Sequence, residues 1–185
     1  MTDHNTLTMR HAERQIKDAA LVEEMLKLCP VCTLVLQDEK YPYAVPLNFG
    51  YCWEEKLTIY MHMASEGYKL SLLEKNPHVA CNAYAFVDRS LGEKYRGESQ
   101  DYRSVTVFGK AEIITANQPL EFLRGLNAIQ SHYKRKPISQ APKTDKLVVV
   151  KLTADAVTAK SMYPLMDVSE VPMPLQTAKA CEKEV

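Results

Sequence analysis

Short strand-like runs alternate with a few helical segments along this chain. Apolar and β-branched residues predict six strands, at 33–37, 43–51, 57–63, 79–86, 102–115 and 147–158. Helical spacing of apolar residues predicts helices at 18–28, 67–74 and 117–134. About six strands with a few short helices favour a closed or partly closed antiparallel barrel over a layered parallel sheet.

Single residues inside these runs add geometric predictions. Pro42 and Pro46 lie in or beside the second run, and because proline has no N–H to donate, that strand is expected at a sheet edge or with a bulge. Gly109 predicts a bulge or a close backbone approach in the fifth run. Asp18 is placed to cap the first helix. The run Val148–Val150 predicts a strand that is buried on both faces.

The length of 185 residues fits one domain with tails. Residues 1–17 are polar and lack periodicity, so they are predicted to form an N-terminal arm. The domain itself is predicted to span 18–160, with a charged exposed loop at 88–101. Residues 161–185 contain three prolines and are predicted to form a tail that drapes over the body or over a partner chain.

Charge narrows the classes of function. Lys plus Arg and Asp plus Glu number 23 each, so the formal net charge is zero. Binding to nucleic acid or to an anionic membrane draws on excess positive charge, and neither is expected here. No run approaches the about 20 apolar residues of a membrane span, and the N-terminus has no apolar stretch of the signal-peptide kind. The expected compartment is the cytosol.

The five cysteines are predicted to be free thiols, because the count is odd and no secretion signal is present. Cys29 and Cys32 form a C-x-x-C motif. A redox dithiol normally sits at the start of a helix, whereas this pair follows a helix and precedes a strand. The other cysteines are isolated, so a structural zinc site lacks its further ligands. We interpret the pair as small buried apolar residues.

The segment from Ile59 to Lys69 is the strongest candidate for chemistry. A strand stops there on small residues and turns into a helix with a lysine in its first turn. A helix start offers unpaired N–H groups, and the lysine adds a full positive charge, which together can bind a phosphate. The proline-containing strand lies a short distance upstream. These features predict a phosphate-bearing cofactor between two strands.

His62 is the candidate for proton chemistry in this segment. It alternates with Met61 and Met63, so it points to the opposite face of the strand. A histidine near a strand end is by itself more often structural, but the glycine and lysine that follow favour a site. The dinucleotide motif G-x-G-x-x-G, a Walker-type loop and the H-E-x-x-H zinc helix are absent from the sequence.

Three segments in order resemble the flavin-binding split-barrel proteins of the pyridoxamine-phosphate-oxidase type. They are 41–49, 60–69 and 104–112, and the likeness extends from about Arg10 to about Tyr163. Within that superfamily the chain most resembles the nitroimidazole-resistance (Nim-type) branch. The resemblance implies a six-stranded antiparallel split β-barrel, a homodimer, and FMN bound at the subunit interface.

The resemblance also implies the site residues. Those expected to line the flavin ring and the ribityl chain are Val45, Pro46, Leu47 and Asn48. Those expected to flank the ring edge are Met61, His62, Met63 and Ala64. The remaining expected contacts are Gly67 and Lys69 at the phosphate, and Ser104 with Val105 near the ring.

Two departures argue against pyridoxine metabolism. Tyr68 stands where those oxidases commonly have an arginine before the phosphate lysine, and their C-terminal arginine motif is missing after Lys160.

The leading hypothesis is an FMN-dependent oxidoreductase that reduces a small aromatic, nitro or quinone-like substrate. His62 is its candidate proton donor, because an unperturbed imidazole titrates near neutrality. A flavin-binding store or sensor without turnover would share the same binding residues. A haem-binding split barrel with His62 as the ligand is the third alternative.

Overall fold

The computed structural model describes residues 9–86 and 102–162. The loop predicted at 88–101, and the tail beyond residue 162, lie outside the described residues. The strands are β1 Gln15–Ile16, β2 Cys32–Leu36, β3 Tyr43–Leu47, β4 Phe49–Trp53, β5 Leu57–Ala64, β6 His78–Phe86, β7 Tyr102–Ile114 and β8 Leu147–Ser161. The helices are α1 Ala19–Leu28, α2 Tyr68–Lys75 and α3 Pro119–His132, and a 3-10 turn, Ala12–Arg14, precedes β1.

All strand pairs are antiparallel, and the strands form one curled sheet in the order β3-β2-β6-β7-β8-β5-β4, with β1 added to β8. The predicted fold class, a mainly β antiparallel split barrel with flanking helices, is confirmed. The described strands number eight rather than six. One addition is the two-residue strand β1, which pairs with Lys160 and Ala159 and lies within the segment predicted as the arm.

The other addition corrects the prediction of a single strand at 43–51. The chain breaks at Asn48: β3 pairs with β2, whereas β4 pairs with β5 at the opposite edge of the sheet. Both halves are extended and apolar, so the hydrophobic pattern shows no interruption. The expected edge position of the proline-containing strand is confirmed, since Pro46 lies in the edge strand β3.

The barrel interior holds the larger of two apolar clusters. Inward-facing residues of the strands pack there with Met25 and Leu26 of α1, which are 0% and 1% exposed. The predicted cap of α1 is confirmed, because Asp18 Oδ1 accepts the Leu21 N–H at 3.0 Å. The prediction for Val148–Val150 is also confirmed. Val148 and Val150 belong to this interior cluster, and Val149 belongs to the second cluster on the outside of the barrel.

The second cluster forms where α3 packs on the outside of β4, β5 and the start of β8. Its largest members are Tyr60 and Phe122, which are 1% and 0% exposed. The helix comes so close to β4 that a Cβ on Gly50 would collide with the backbone of Ala128 and Ile129.

Gly109 is predicted to lie at a bulge or at a close backbone approach, and both are confirmed. The register between β7 and β8 shifts between Phe108 and Gly109. A Cβ at Gly109 would also collide with the carbonyl of Thr153 on β8. The bulge lets the long strands β7 and β8 bend around the barrel.

The interpretation of the C-x-x-C pair as buried residues is confirmed. Cys29 and Cys32 are each 1% exposed, and the Cys29 thiol donates to the Met25 carbonyl at 3.2 Å. Burial raises the pKa of Cys29 to about 12, so its thiolate is scarce at neutral pH.

No helix in the described part of the chain is long and apolar enough to cross a membrane.

We expect Gly50→Ala to destabilise the fold by about 2 kcal/mol or more, because the added methyl meets backbone atoms of α3 that cannot rotate away. Gly125→Ala is the matched comparison. Its Cβ would meet side-chain atoms of Val149 and Tyr60, and alanine favours a helix over glycine. Urea unfolding should therefore show a larger loss for Gly50→Ala, and an equal or smaller loss would contradict the described packing.

Candidate functional site

The corner between β5 and α2 forms as the sequence predicts. β5 ends at Ala64, and Gly67 precedes α2 with a φ of +117°, a conformation that favours glycine. The Gly67 carbonyl accepts the N–H groups of Leu70 and Ser71 at 3.0 and 3.3 Å. Within the described residues, the N–H groups of Gly67, Tyr68 and Lys69 meet no acceptor. The corner therefore presents open donors in the helical turn that carries Lys69.

Tyr68 ties this corner to the start of β3. Its hydroxyl donates to Asp38 Oδ2 at 2.6 Å, and its ring meets the ring of Tyr43 edge-on, with 5.5 Å between centroids. The Tyr68 hydroxyl, followed by the Glu39 N–H, lowers the pKa of Asp38. The structure thus brings the lysine-bearing corner and the proline-containing strand together. Sequence reasoning missed this link because Asp38 lies in a turn thirty residues before Tyr68.

Strand alternation divides the predicted site residues between two sides of the barrel wall. Met61, Met63 and Val105 belong to the interior core and are at most 4% exposed. Val45 and Leu47 are partly buried and pack against the same core. These five side chains therefore face away from any ligand outside the barrel.

The remaining predicted residues lie on the outside. Pro46, Asn48 and Ala64 are exposed, and Ser104 is partly buried. Ser104 alternates with the inward-facing Val105, so its side chain points outward.

His62 lies on the outside of β5, near the end of α3. It is half-buried, and its pKa is lowered first by burial and then by the nearby Arg135 guanidinium. The neutral imidazole is therefore the major form at neutral pH.

One chain does not bring all the predicted residues together. His62 pairs with Val149 on β8, whereas Ser104 pairs with Lys160. These two β8 positions are eleven residues apart, which at about 3.3 Å per residue is about 36 Å of strand. Within one chain, His62 and Ser104 therefore do not belong to the same site.

Pro46 and Ser104 share one open sheet face. We call this face the outer wall and define it by its uncharged outward-facing residues on β3, β2, β6 and β7: Ala44, Pro46, Thr33, Val35, Ala80, Asn82, Tyr84, Phe86, Ser104, Thr106 and Phe108. Lys110 and Glu112 of β7, and His78 of β6, continue the outward-facing rows of these strands at one end of the face. The three described helices bury their apolar faces elsewhere, α1 and α2 in the barrel core and α3 on the second cluster.

The outer wall exposes large side chains and contains a groove. Tyr84 and Phe86 are 46% and 60% exposed. A shallow groove of about 340 Å³ lies beside Val35, Ala80 and Phe108, and His78 and Asp155 also line it. Exposed aromatic side chains on an open sheet face are typical of an interaction surface.

Tyr133 is a second residue that sequence reasoning missed in this role. Its hydroxyl donates to the Pro30 carbonyl at 2.8 Å, accepts the Phe49 N–H at 3.3 Å, and lies 3.4 Å from Asn48 Oδ1. The sequence predicts Tyr133 as part of an apolar helical stripe, which says nothing of its hydroxyl. The contact holds the passage from β3 to β4 in place.

The fold and these motifs are those of one family. The family model for pyridoxamine 5'-phosphate oxidase matches residues 18–161, and the chain belongs to this family. The resemblance to proteins of the pyridoxamine-phosphate-oxidase type is thus confirmed. No curated protein matches the sequence.

Solved structures agree with this assignment. A protein from Bacteroides thetaiotaomicron assigned to 5-nitroimidazole antibiotic resistance is 27% identical, with a TM-score of 0.64, over 80% of this chain and 86% of that chain. The FAD and haem binding protein from Mycobacterium smegmatis is 21% identical, with a TM-score of 0.62, over 85% and 78%. An FAD-binding protein from Mesorhizobium loti is 18% identical, with a TM-score of 0.56, over 81% and 98%. The last two establish the likeness of fold alone.

Proposed function

We propose that the protein is an FMN-binding oxidoreductase that reduces a small aromatic, nitro or quinone-like substrate. The observation that carries the proposal is the corner at Gly67–Lys69, where open N–H groups and a lysine lie beside the edge strand β3. Membership of the pyridoxamine 5'-phosphate oxidase family supports a flavin. The likeness to a nitroimidazole-resistance protein supports the class of substrate.

The residues at the corner fit a phosphate monoester. The N–H groups of Gly67, Tyr68 and Lys69 can donate to phosphate oxygens, and the Lys69 ammonium supplies the charge. The Tyr68 hydroxyl donates a hydrogen bond to the Asp38 carboxylate. The expected arginine is absent, and Lys69 therefore supplies the side-chain charge of the phosphate contact.

The ring and ribityl chain fit the neighbouring edge. An edge strand leaves alternate N–H and C=O groups unpaired, and β3 provides such an edge beside Val45 and Leu47. When bound, FMN would supply the electron transfer to the substrate. The protein orients the ring, excludes water and provides a proton.

The proposed assembly is a homodimer with the flavin at the interface. Two observations support it: His62 and Ser104 are far apart within one chain, and the outer wall exposes aromatic side chains that no described helix covers. A second protomer that covered the outer wall would bring its own Ser104 toward the first protomer's flavin.

Lys69→Ala should weaken FMN binding by about tenfold or more, because a charge-assisted hydrogen bond to phosphate is lost. Lys75→Ala, in the last turn of the same helix, is the control and should bind FMN as the unmodified protein does. Quenching of flavin fluorescence measures both affinities. Equal affinities for the two variants would remove the phosphate assignment.

Ala80→Arg should separate the proposed dimer, because it places an unpaired charge in the centre of an apolar interface. Glu55→Arg, in the turn between β4 and β5, is the control and should leave the assembly intact. Light scattering after gel filtration gives the mass. A variant that keeps the mass of the unmodified protein would show that the outer wall is not the interface.

The reductase should be faster in acid, with a rate that falls as pH rises through the lowered pKa of His62. Protonated His62 is the proposed donor, and its fraction decreases above that pKa. Steady-state assays with nitro compounds and quinones measure the profile, and His62→Gln should flatten it. An unchanged profile in that variant would remove the donor role.

A flavin-loaded protein without any turnover would favour a store or sensor.

A further inference from the structure

The loop between α3 and β8, residues 133–146, concentrates positive charge in a protein of zero net charge. It holds five basic residues, Lys134, Arg135, Lys136, Lys143 and Lys146, and a single acidic residue, Asp145. Several basic residues elsewhere on the protein surface are paired with acidic ones. Lys27, Arg124 and Lys151, for example, form ion pairs with glutamates.

Four of the loop cations differ in this respect. Across residues 9–86 and 102–162, no carboxylate forms an ion pair with Arg135, Lys136, Lys143 or Lys146. Arg135 has its guanidinium carbon 5.7 Å from the centroid of the Tyr133 ring. All four side chains are exposed. Their charge is therefore available to an external anion.

The backbone of this loop is anchored to α3. Asn127 Nδ2 donates to the Ile138 carbonyl at 3.0 Å, and Asn127 Oδ1 accepts the Ile138 N–H at 2.7 Å. Ile138 and Ala141 pack on the apolar cluster beneath α3. The cations consequently extend from a backbone that is already placed, which lowers the entropic cost of binding a ligand.

Lys134 occupies a position that ordinarily belongs to glycine. Its φ is +54°, and the helix ends with the Lys134 N–H bonded to the Ser131 carbonyl and the Arg135 N–H bonded to the Gln130 carbonyl. This is the Schellman pattern, in which the left-handed residue is usually glycine. A lysine there adds a charge to the loop at the expense of backbone strain.

The loop also touches the proposed flavin corner. The Ser65 N–H donates to the Lys146 carbonyl at 3.2 Å, so the end of the loop lies against the segment that leads into Gly67 and Lys69. At the other end of the loop, Arg135 lies close enough to His62 to affect its charge. The nearest acidic residue on the corner itself is Glu66, which is exposed.

We propose that the loop 133–146 binds the pyrophosphate group of a dinucleotide that meets the flavin corner. The inference rests on the proposed function and extends it to a second anionic group. A single phosphate monoester is already served by Lys69 and the start of α2, whereas the loop, whose end meets this corner at Lys146, carries a net charge of +4 (five basic residues less Asp145). A pyrophosphate supplies negative charge in a compact form that several lysine and arginine donors can share.

Two molecules carry this group into the site. One is a reduced nicotinamide dinucleotide, which would act as the electron donor to the flavin. The other is FAD, whose adenosine pyrophosphate would extend from the corner onto the loop. The shared chemistry is the pyrophosphate, and the two sources are distinguished by experiment.

The test uses a variant in which Arg135, Lys136 and Lys146 are each replaced by glutamine. Its control carries Lys40→Gln and Lys56→Gln, exposed lysines in the turns after β2 and β4. Calorimetric titration with inorganic pyrophosphate requires no flavin, so its outcome is independent of whether FMN binds. We expect the triple variant to bind pyrophosphate about tenfold or more weakly than the control does, and the difference to shrink at high salt.

Lys134→Gly provides a second variant that does not risk the fold. Glycine relieves the backbone strain while it removes the charge, so the protein should remain at least as stable to urea. Weaker pyrophosphate binding by this variant would therefore report the lost charge and not unfolding.

The source follows from two further titrations. If FAD binds more tightly than FMN and the triple variant removes that advantage, the group belongs to the flavin. If a nicotinamide dinucleotide binds the FMN-loaded protein and the triple variant weakens it, the group belongs to the electron donor. Equal pyrophosphate affinity in the triple variant and the control would overturn the proposal. If the triple variant also changed the mass of the assembly, the loop would instead bind an acidic protein surface.

Discussion

The architecture depends on a single-residue passage between two edge strands. Asn48 joins β3, at one edge of the curled sheet, to β4, at the other. Because the chain has no room to loop back, the two edges must lie close together, and the sheet must curl into a barrel. The Tyr133 hydroxyl accepts the Phe49 N–H and donates to the Pro30 carbonyl. The end of α3 thereby fixes the point at which the barrel splits.

This closure decides where a cofactor can be held. The interior is filled by apolar side chains, among them Met61 and Met63 from the lysine-bearing segment, so no flavin fits inside the barrel. We therefore place the proposed flavin outside the barrel, against the free edge of β3 and the start of α2. The contact of Tyr68 with Asp38 and Tyr43 holds these two features side by side. An external ligand of this size also needs a cover, which the proposed second protomer provides.

The sequence predicted much of this fold because its signals are local. Strand alternation, the Asp18 cap, the bulge at Gly109 and the edge position of Pro46 each depend on a residue type and its immediate neighbours. The break at Asn48 was missed because an apolar run has the same pattern whichever strand it pairs with. The resemblance to a family named the site residues but not their separation within one chain, which strand register sets by placing His62 and Ser104 far apart along β8.

Contacts between distant segments were beyond the reach of sequence reasoning. The bond from Tyr68 to Asp38 and the anchoring of the basic loop by Asn127 join residues that the fold alone brings together. The five basic residues of the loop can be read from the sequence, but the zero net charge of the whole chain gives no sign that they are clustered. Its importance follows from its position beside Ser65, which only the β5–β8 pairing reveals.

The central claim is that the corner between β5 and α2 holds a flavin against β3. The most direct test is the visible absorption spectrum of the purified protein after incubation with FMN and gel filtration. The account predicts a yellow protein that retains a stoichiometric amount of FMN per chain, with the absorption bands shifted from those of free flavin. A colourless protein that takes up no FMN would contradict it.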